Sequence, residues 1–278
     1  MRIARGEWAL DAAPEQGGAI LSLTHAGRDV LRRAREGATA PLDMACFPLV
    51  PYANRIAHGR FTWAGREHRL PRNYPGHAHP LHGVGWLRSW HVTQTDEAAI
   101  AMRLDHDGDA DWPWRFAAEQ RLSLTPEGLS AELAIENRDD AAMPVSLGFH
   151  PYFPAATTLR FDAAAVWLTD ASLLPTQAAP PEALGDWSRG GPLERANLVD
   201  HCYTGWRGSA TIVGDDGETV LRGTGTPALH VYVPPGAGFF CAEPVSALPD
   251  AVNRDAADTL APGERRAIAM RIGTSPEA

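Results

Sequence analysis

The sequence predicts an all-β fold, a large antiparallel β-sandwich with few short helices, and two observations carry this prediction. The 23 prolines and 26 glycines are spread through all 278 residues and cut the chain into short segments, which favours strands over long helices. Residues 129–136 alternate between apolar and polar side chains, which is the period of a half-buried strand. Most connections are short and no interdomain linker is evident, so we expect residues 1–278 to form one domain of sequentially paired strands.

The first predicted elements are a strand, a hairpin and a loop. Residues 18–23 are apolar enough for an early strand, and residues 59–70 predict a hairpin that turns at Ala64-Gly65. An irregular segment that is rich in histidine follows at 73–85. Because atypical loops inside compact domains are often functional, we treat this segment as a candidate part of a site.

The middle of the chain gives the clearest β signal. Residues 117–124 are expected to pair with 129–136 through Thr125-Pro126-Glu127-Gly128, whose proline and glycine positions suit a type I turn. Residues 143–149 then predict a strand that ends at His150 and a proline-rich segment.

The last third of the chain predicts one loop, two strand pairs and one further strand. Residues 175–197, which contain Pro180-Pro181 and Gly190-Gly191, are expected to be a loop. The β segments are 210–213 with 218–221 around Gly214-Asp215-Asp216-Gly217, 228–233 with 238–242, and 265–272, which would close the sheet.

Composition excludes several classes of function. The net charge of -9 disfavours binding to nucleic acid or to anionic membranes. The sequence contains no lysine, which excludes a Schiff-base lysine mechanism. No apolar run approaches the length of a membrane helix. Three cysteines predict neither a disulfide framework nor a four-ligand zinc site. The amino terminus has no apolar signal segment, so we expect a cytoplasmic protein.

Two residues at strand ends are the candidates for proton transfer. His150 is either a packed structural histidine or a general acid or base whose pKa its aromatic neighbours tune near neutrality. Glu243 follows the apolar run 239–242, so it is either at a strand end that has reached solvent or a part-buried carboxyl whose raised pKa suits a base.

The other candidates have weaker signals. Arg55 either binds hydroxyl groups or forms a surface ion pair, and Asp200 either binds hydroxyl groups or belongs to a turn. His82 shares its loop with His77 and His79. These three histidines could ligate a metal ion, but they lack the spacing of a zinc motif. Trp86, Tyr203 and Trp206 either stack on a sugar or belong to the core. The sequence contains no Gly-x-Ser-x-Gly, Walker, Gly-x-Gly-x-x-Gly or His-Glu-x-x-His motif.

Taken together, these segments resemble the aldose 1-epimerase (galactose mutarotase) family. The pieces that carry the resemblance are Asn54-Arg55-Ile56 with Gly59-Arg60-Phe61, Leu81-His82-Gly83 with Gly85-Trp86, His150-Pro151-Tyr152-Phe153, Asp200, and Glu243-Pro244 with Pro249-Asp250-Ala251-Val252-Asn253. Their order agrees along nearly the whole chain.

The resemblance implies a galactose mutarotase-like supersandwich that opens and recloses the ring of a free aldose such as galactose or glucose. Glu243 would be the general base and His150 the general acid, with neither a metal ion nor another cofactor. The residues that would hold the sugar are Asn54, Arg55, His82 and Asp200. The expected partner is a small monosaccharide, bound by a monomer or homodimer.

Three alternatives stay open. The substrate could be a hexose 6-phosphate, whose phosphate would have to be held by arginines such as Arg72 or Arg88 because lysine is absent. The protein could be a sugar-binding module without catalysis, although binding alone does not need an acid–base pair. It could also be a carbohydrate-cleaving enzyme, either a lyase or a hydrolase that uses Glu243 and Asp200 as paired carboxylates.

Overall fold

The computed structural model describes residues 1–214 and 217–274 of the chain. Within these ranges the chain forms short antiparallel strands and 3₁₀ helices of three or four residues. The strands up to residue 154 are β1 (Arg2–Arg5), β2 (Trp8–Ala13), β3 (Ala19–His25), β4 (Arg28–Asp29), β5 (Pro48–Leu49), β6 (Arg60–Trp63), β7 (Arg66–Arg69), β8 (His91–Thr95), β9 (Ala99–His106), β10 (Phe116–Thr125), β11 (Gly128–Asn137), β12 (Met143–Val145), β13 (Gly148–Phe149) and β14 (Tyr152–Pro154).

The remaining elements follow the same design. The later strands are β15 (Thr158–Phe161), β16 (Ala165–Thr169), β17 (Pro175–Ala179), β18 (Gly191–Pro192), β19 (Val199–Thr204), β20 (Ser209–Gly214), β21 (Gly217–Thr224), β22 (Ala228–Val233), β23 (Phe239–Val245), β24 (Asp258–Leu260) and β25 (Arg265–Thr274). The 3₁₀ helices are Pro41–Asp43, Ala57–Gly59, Gly85–Leu87, Pro181–Leu184 and Ala251–Asn253.

Two large sheets dominate the fold. A nine-stranded sheet has the order β18-β15-β20-β21-β25-β11-β10-β9-β8. An eight-stranded sheet has the order β17-β16-β19-β22-β23-β13-β5, with β14 also paired to β23. Smaller sheets are formed by β1 to β4, by β6 with β7, and by β12 with β24. The predicted fold class, an all-β sandwich with few short helices, is therefore confirmed.

The main apolar core lies between the two large sheets. Phe161 of β15 and Tyr203 of β19 meet across it, with ring centroids 5.0 Å apart. Along β23, Phe240 and Ala242 belong to this core, whereas Cys241 belongs to a second apolar cluster. Because neighbouring side chains of a strand point to opposite faces, the second cluster lies on the outer face of the eight-stranded sheet.

Most predicted strand pairs are present. β10 pairs with β11, β6 with β7, β20 with β21, and β22 with β23. The early strand predicted at 18–23 is β3. Of the predicted turn at 214–217, Asp215 and Asp216 lie outside the described residues.

The prediction of one continuous strand at 143–149 is wrong. It is divided into β12, which pairs with β24, and β13, which pairs with β5 and β23. Side chains fix the change of sheet: the Ser146 hydroxyl accepts a hydrogen bond from the Ala53 backbone, and the Ser246 hydroxyl accepts one from the Leu147 backbone. After this break, β13 leads directly to His150.

Two other expectations need correction. The predicted loop at 175–197 contains β17, a 3₁₀ helix at Pro181–Leu184, and β18. The last predicted strand, β25, does not close an edge but lies between β21 and β11 near the middle of the nine-stranded sheet. Sheet order depends on pairing between distant segments, which the pattern of one strand does not reveal.

Among the described residues, the helices are far too short to cross a bilayer. Cys46, Cys202 and Cys241 are all free and buried, which agrees with the absence of a disulfide framework.

Candidate active site

The outer face of the eight-stranded sheet brings the distant candidate residues together. Asp200, His230 and Glu243 lie on the neighbouring strands β19, β22 and β23, and each of them is buried. The register places His230 directly opposite Glu243 on one side and Cys202 on the other. Three separated stretches of sequence thus form one polar row within an otherwise apolar face.

His150 lies beside Glu243, just after β13. Its backbone N–H donates to the carbonyl of Phe47, and its ring is stacked between Phe47 and Tyr152, with centroids 4.7 Å from each. The imidazole Nε2 is 3.4 Å from Oε1 of Glu243. The structure therefore brings the two predicted proton-transfer residues into contact.

Two further candidates belong to chain segments that cross next to this row. The backbone N–H of His82 donates to the carbonyl of Asn54, and the backbone N–H of Asn54 donates to Nδ1 of His82. Both residues have positive φ, 61° for Asn54 and 57° for His82. Residues other than glycine rarely adopt the left-handed region. Two such residues in contact therefore indicate a strained backbone that the surrounding structure keeps in place, as is common at functional sites.

The tautomer of His82 follows from this contact. Burial lowers the pKa of His82 well below its ordinary value, with the charges of His150 and Arg55 adding to the effect, so the ring is neutral. Because Nδ1 accepts the Asn54 N–H, the proton is on Nε2. His82 therefore offers one N–H donor.

The segment that carries Arg55 is braced from the far end of the chain. The backbone N–H of Asp250 donates to the carbonyl of Arg55, and its carboxylate accepts from the backbone N–H of Ala57 and the side chain of Asn253. The Asp250 and Asn253 pair is therefore structural, since it contacts the Arg55 backbone and not the polar row.

His82 is held by Asn73 and by the glycine that follows it. The Asn73 amide donates to the carbonyls of Leu81 and Gly83 and accepts from the backbone N–H of Leu81. Gly83 has φ +69°, and a Cβ placed there would lie 2.2 Å from the carbonyl oxygen of Val50. Only glycine fits this crossing without displacing backbone.

We expect Gly83→Ala to destabilise the protein strongly. The added methyl group meets backbone and the residue must keep an unfavourable φ, which together should cost about 3 kcal/mol of unfolding free energy. Gly65→Ala is the matched control, because Gly65 has φ +75° but open space around it, so only about 1 kcal/mol is expected there. Urea denaturation of both variants measures the difference, and equal losses would contradict the steric argument.

Buried hydrogen bonds link Arg55, Asp200 and His230. The Arg55 guanidinium donates to Asp200 Oδ2 at 3.0 Å and to the amide oxygen of Asn54 at 3.1 Å. His230 Nε2 is 2.6 Å from Asp200 Oδ1. Burial alone would raise the pKa of Asp200, but the hydrogen bonds and charges of His230 and Arg55 outweigh it and lower that pKa below its ordinary value.

The two proton-transfer candidates have oppositely shifted pKa values. Burial raises the pKa of Glu243 to about 7, with the charge of His230 opposing the rise and that of Asp200 adding to it. Burial and the charge of His230 lower the pKa of His150 to about 3. The expectation that aromatic neighbours tune the pKa of His150 near neutrality is therefore wrong for the free site; complete burial keeps this ring neutral.

His230 is the residue of this site that the sequence analysis missed. Burial alone would lower its pKa, but the hydrogen bond to Asp200, helped by Cys202 and the charge of Glu243, raises it to about 10. A signal was present, since the alternation along 228–233 places residue 230 on one face with Tyr232. The sequence alone does not give the register between β22 and β23, so it could not show that His230 lies opposite Glu243.

One group of side chains among the described residues is close enough to share a cation. One ligand atom from each of His150, Cys241 and Glu243 lies within 4.8 Å of the others, while the histidines of the 77–82 loop form no such group in the described ranges. Burial raises the pKa of the Cys241 thiol well above its ordinary value, whereas metals bind thiolates. We therefore assign no metal ion to these residues.

The aromatic residues considered as sugar platforms are buried, Trp86 in the second cluster and the other two in the main core. Trp86 is 1% exposed and stacks on Phe47, and both Tyr203 and Trp206 are buried. These three rings therefore present no face to a ligand. The half-buried aromatic residues that pack against the second cluster instead are Tyr74, Trp167, Tyr232 and Phe239.

Comparison with known proteins identifies the family. The model of the family described as aldose 1-epimerase matches residues 4–273. The chain belongs to the aldose 1-epimerase family. The uncharacterized protein YphB of Escherichia coli K12 is a family-length relative, 31% identical over 287 aligned positions that cover 97% of each chain.

Solved structures show the same fold. A crystal structure from Escherichia coli K12, named as a candidate aldose 1-epimerase, superposes with a TM-score of 0.90 at 30% identity and covers 99% of this chain and 98% of its own. A galactose mutarotase-like protein from Clostridium acetobutylicum superposes with a TM-score of 0.84 at 18% identity, covering 99% of this chain and 95% of its own. The galactose mutarotase-like fold is therefore confirmed.

Proposed function

We propose that the protein is an aldose 1-epimerase that interconverts the α and β anomers of a free aldose such as glucose or galactose. The observation that carries this proposal is the contact between Glu243 and His150, 3.4 Å apart and both buried. A purely structural pair would not need a carboxyl whose pKa burial brings to about 7, where a base can act at neutral pH.

In the proposed reaction, Glu243 takes the proton of the anomeric hydroxyl while His150 gives a proton to the ring oxygen O5. The C1–O5 bond breaks, and O1 becomes the oxygen of the aldehyde. Rotation about C1–C2 then presents the other face of the carbonyl to O5. On closure His150 takes the proton back from O5 and Glu243 protonates O1, so the enzyme returns to its starting state.

The neighbouring polar groups suit the binding of sugar hydroxyls. Asp200 supplies carboxylate acceptors held by Arg55, and His82 supplies the N–H donor at Nε2. Asn54 acts through Arg55, because its amide oxygen accepts from both the backbone and the guanidinium of that residue. We propose that Asn54 orients the arginine and that the other three residues contact the sugar.

The pH dependence should reflect one shared proton. The starting form of the reaction needs an ionised Glu243 and a protonated His150, so the pair holds one proton. The pair also holds one proton when Glu243 is protonated and His150 is neutral, and the two forms titrate together. The pair holds one proton between pKa values of about 3 and about 7. We expect kcat/KM to fall as the pH rises through about 7, and a rise there would contradict the shared proton.

The activity itself is tested by polarimetry. Freshly dissolved α-D-glucose and α-D-galactose are followed by optical rotation with and without protein, and the protein should speed the approach to an unchanged endpoint. No acceleration across a panel of aldoses would overturn the proposal. A change of endpoint would indicate a different reaction, such as hydrolysis of a contaminating glycoside.

A phosphorylated hexose is the second candidate substrate, and one arginine favours it. Arg88, considered for this role, is held by Asp109 and Asp111. Arg32 lies 3.9 Å over the ring of Tyr152, donates to the backbone carbonyls of Leu42 and Met44, and contributes through its charge to the lowered pKa of His150. If phosphate binds to the remaining N–H groups of Arg32, kcat/KM should be higher for glucose 6-phosphate than for glucose, and Arg32→Gln should reduce that ratio.

A further inference from the structure

His230 occupies the centre of the polar row. It is on β22, between the strands that carry Asp200 and Glu243, and its side chain is 3% exposed. Its cross-strand partner on β23 is Glu243 itself. A histidine in this position influences both carboxyl groups. Directly opposed side chains of an antiparallel pair, such as His230 and Glu243, lie about 5 Å apart at Cβ, and the ring of His230 also contacts the Asp200 carboxylate.

The contacts of the ring place one proton, on Nε2. Nε2 is 2.6 Å from Asp200 Oδ1, a distance at which the nitrogen must donate to the carboxylate. Nδ1 is buried and has no hydrogen-bond partner among the described residues. The same Nε2 lies 3.5 Å from the Asn54 side-chain amide.

When Glu243 is ionised and His150 is neutral, the charges around the ring of His230 balance only if this ring is a cation. Arg55 neutralises Asp200, so an ionised Glu243 would otherwise be a buried charge without a counterion. A positive His230 makes the group of two carboxylates and two cations neutral. The titratable and charged groups that face this ring, or interact with its charge, are Asp200, His201 and Cys202 of β19, Glu243 of β23, and His82, Arg55 and His150 from the adjoining segments.

We propose that His230 is a positioning residue of the site, an imidazolium that fixes the Asp200 carboxylate and sets a permanent positive charge opposite Glu243. The part that concerns catalysis rests on the proposed role of Glu243 as base. Its consequence is that His230 keeps the proton-transfer pair working at a lower pH than burial alone would allow.

The charge state is tested without any activity. In protein labelled with ¹³C and ¹⁵N at histidine, the ring signals of His230, connected through bonds to its own backbone, should remain those of an imidazolium from pH 6 to pH 8. A neutral ring at pH 8 would overturn the proposal, whether or not the protein is an epimerase.

The effect on Glu243 is tested by His230→Gln. The glutamine amide can still donate to Asp200, but the charge is lost, so the pKa values of Glu243 and His150 should both rise. The alkaline limb of kcat/KM should then move to higher pH by about one unit. A merely structural role would lower activity at every pH and leave the limb in place, and that result would contradict the proposal.

His201→Gln is the matched control. His201 is the next residue along from Asp200, but it faces the other side of β19, and burial lowers its pKa, so its replacement removes no charge at neutral pH. This variant should keep the wild-type pH profile. If the wild type shows no epimerase activity, the proposed function fails, and the NMR titration still decides whether His230 is the cation described here.

Discussion

Glu243→Gln should abolish nearly all acceleration of anomer exchange while leaving the protein folded. Glutamine has the same shape as the buried carboxyl but cannot take the proton of the anomeric hydroxyl. General base catalysis contributes about 10³-fold in rate, so kcat/KM should fall by about that factor. Polarimetry with α-D-glucose or α-D-galactose measures the loss, and a variant with full activity would show that Glu243 is not the base.

The stability of the same variant provides a second, independent measurement. Burial raises the pKa of Glu243 from 4.5 to about 7, so ionisation of this group opposes folding as the pH rises across that interval. Glu243→Gln should therefore gain stability relative to the wild type between pH 5 and pH 8 in thermal unfolding. Glu132→Gln, on the exposed face of β11, should show neither the loss of activity nor this gain.

The sequence predicted the class of fold well because local patterns determine it. The alternation along β11 and the turn that precedes it specify a hairpin without reference to any distant residue. The position of β25 between β21 and β11 could not be read in this way, because it depends on pairing between segments more than 40 residues apart. Such pairing is decided by the whole set of strands competing for partners.

The sequence pointed to candidate site residues but not to their electrostatics. The motifs located His150 and Glu243, and the structure places their side chains in contact. Their pKa values depend on burial and on His230, which lies on a strand with no motif of its own. The resemblance therefore proposed these two residues, whereas the charge on each of them depends on the register of three strands.

Asp200→Asn should be among the most destabilising conservative substitutions in the site. The aspartate accepts hydrogen bonds from Arg55 and His230, both buried beside it. Removing one partner of a buried ionic group leaves uncompensated charge, which costs about 3 kcal/mol or more. His230 can release its proton and so relieve part of the strain, but Arg55 cannot. Urea denaturation at pH 7 should show this loss, and the NMR signals of His230 should become those of a neutral ring.

Asp29→Asn separates this effect from the simple loss of one negative charge. Asp29 also pairs with an arginine, Arg33, at 2.7 Å, but both side chains are exposed, so water already screens the pair. We expect that variant to lose no more than about 0.5 kcal/mol. Because the pKa of Asp200 is lowered in the folded protein, its contribution is complete above pH 4 and declines as the pH falls further. A stability difference between wild type and Asp200→Asn that grew on acidification, or that matched the Asp29 control, would show that Asp200 does not hold the two cations together.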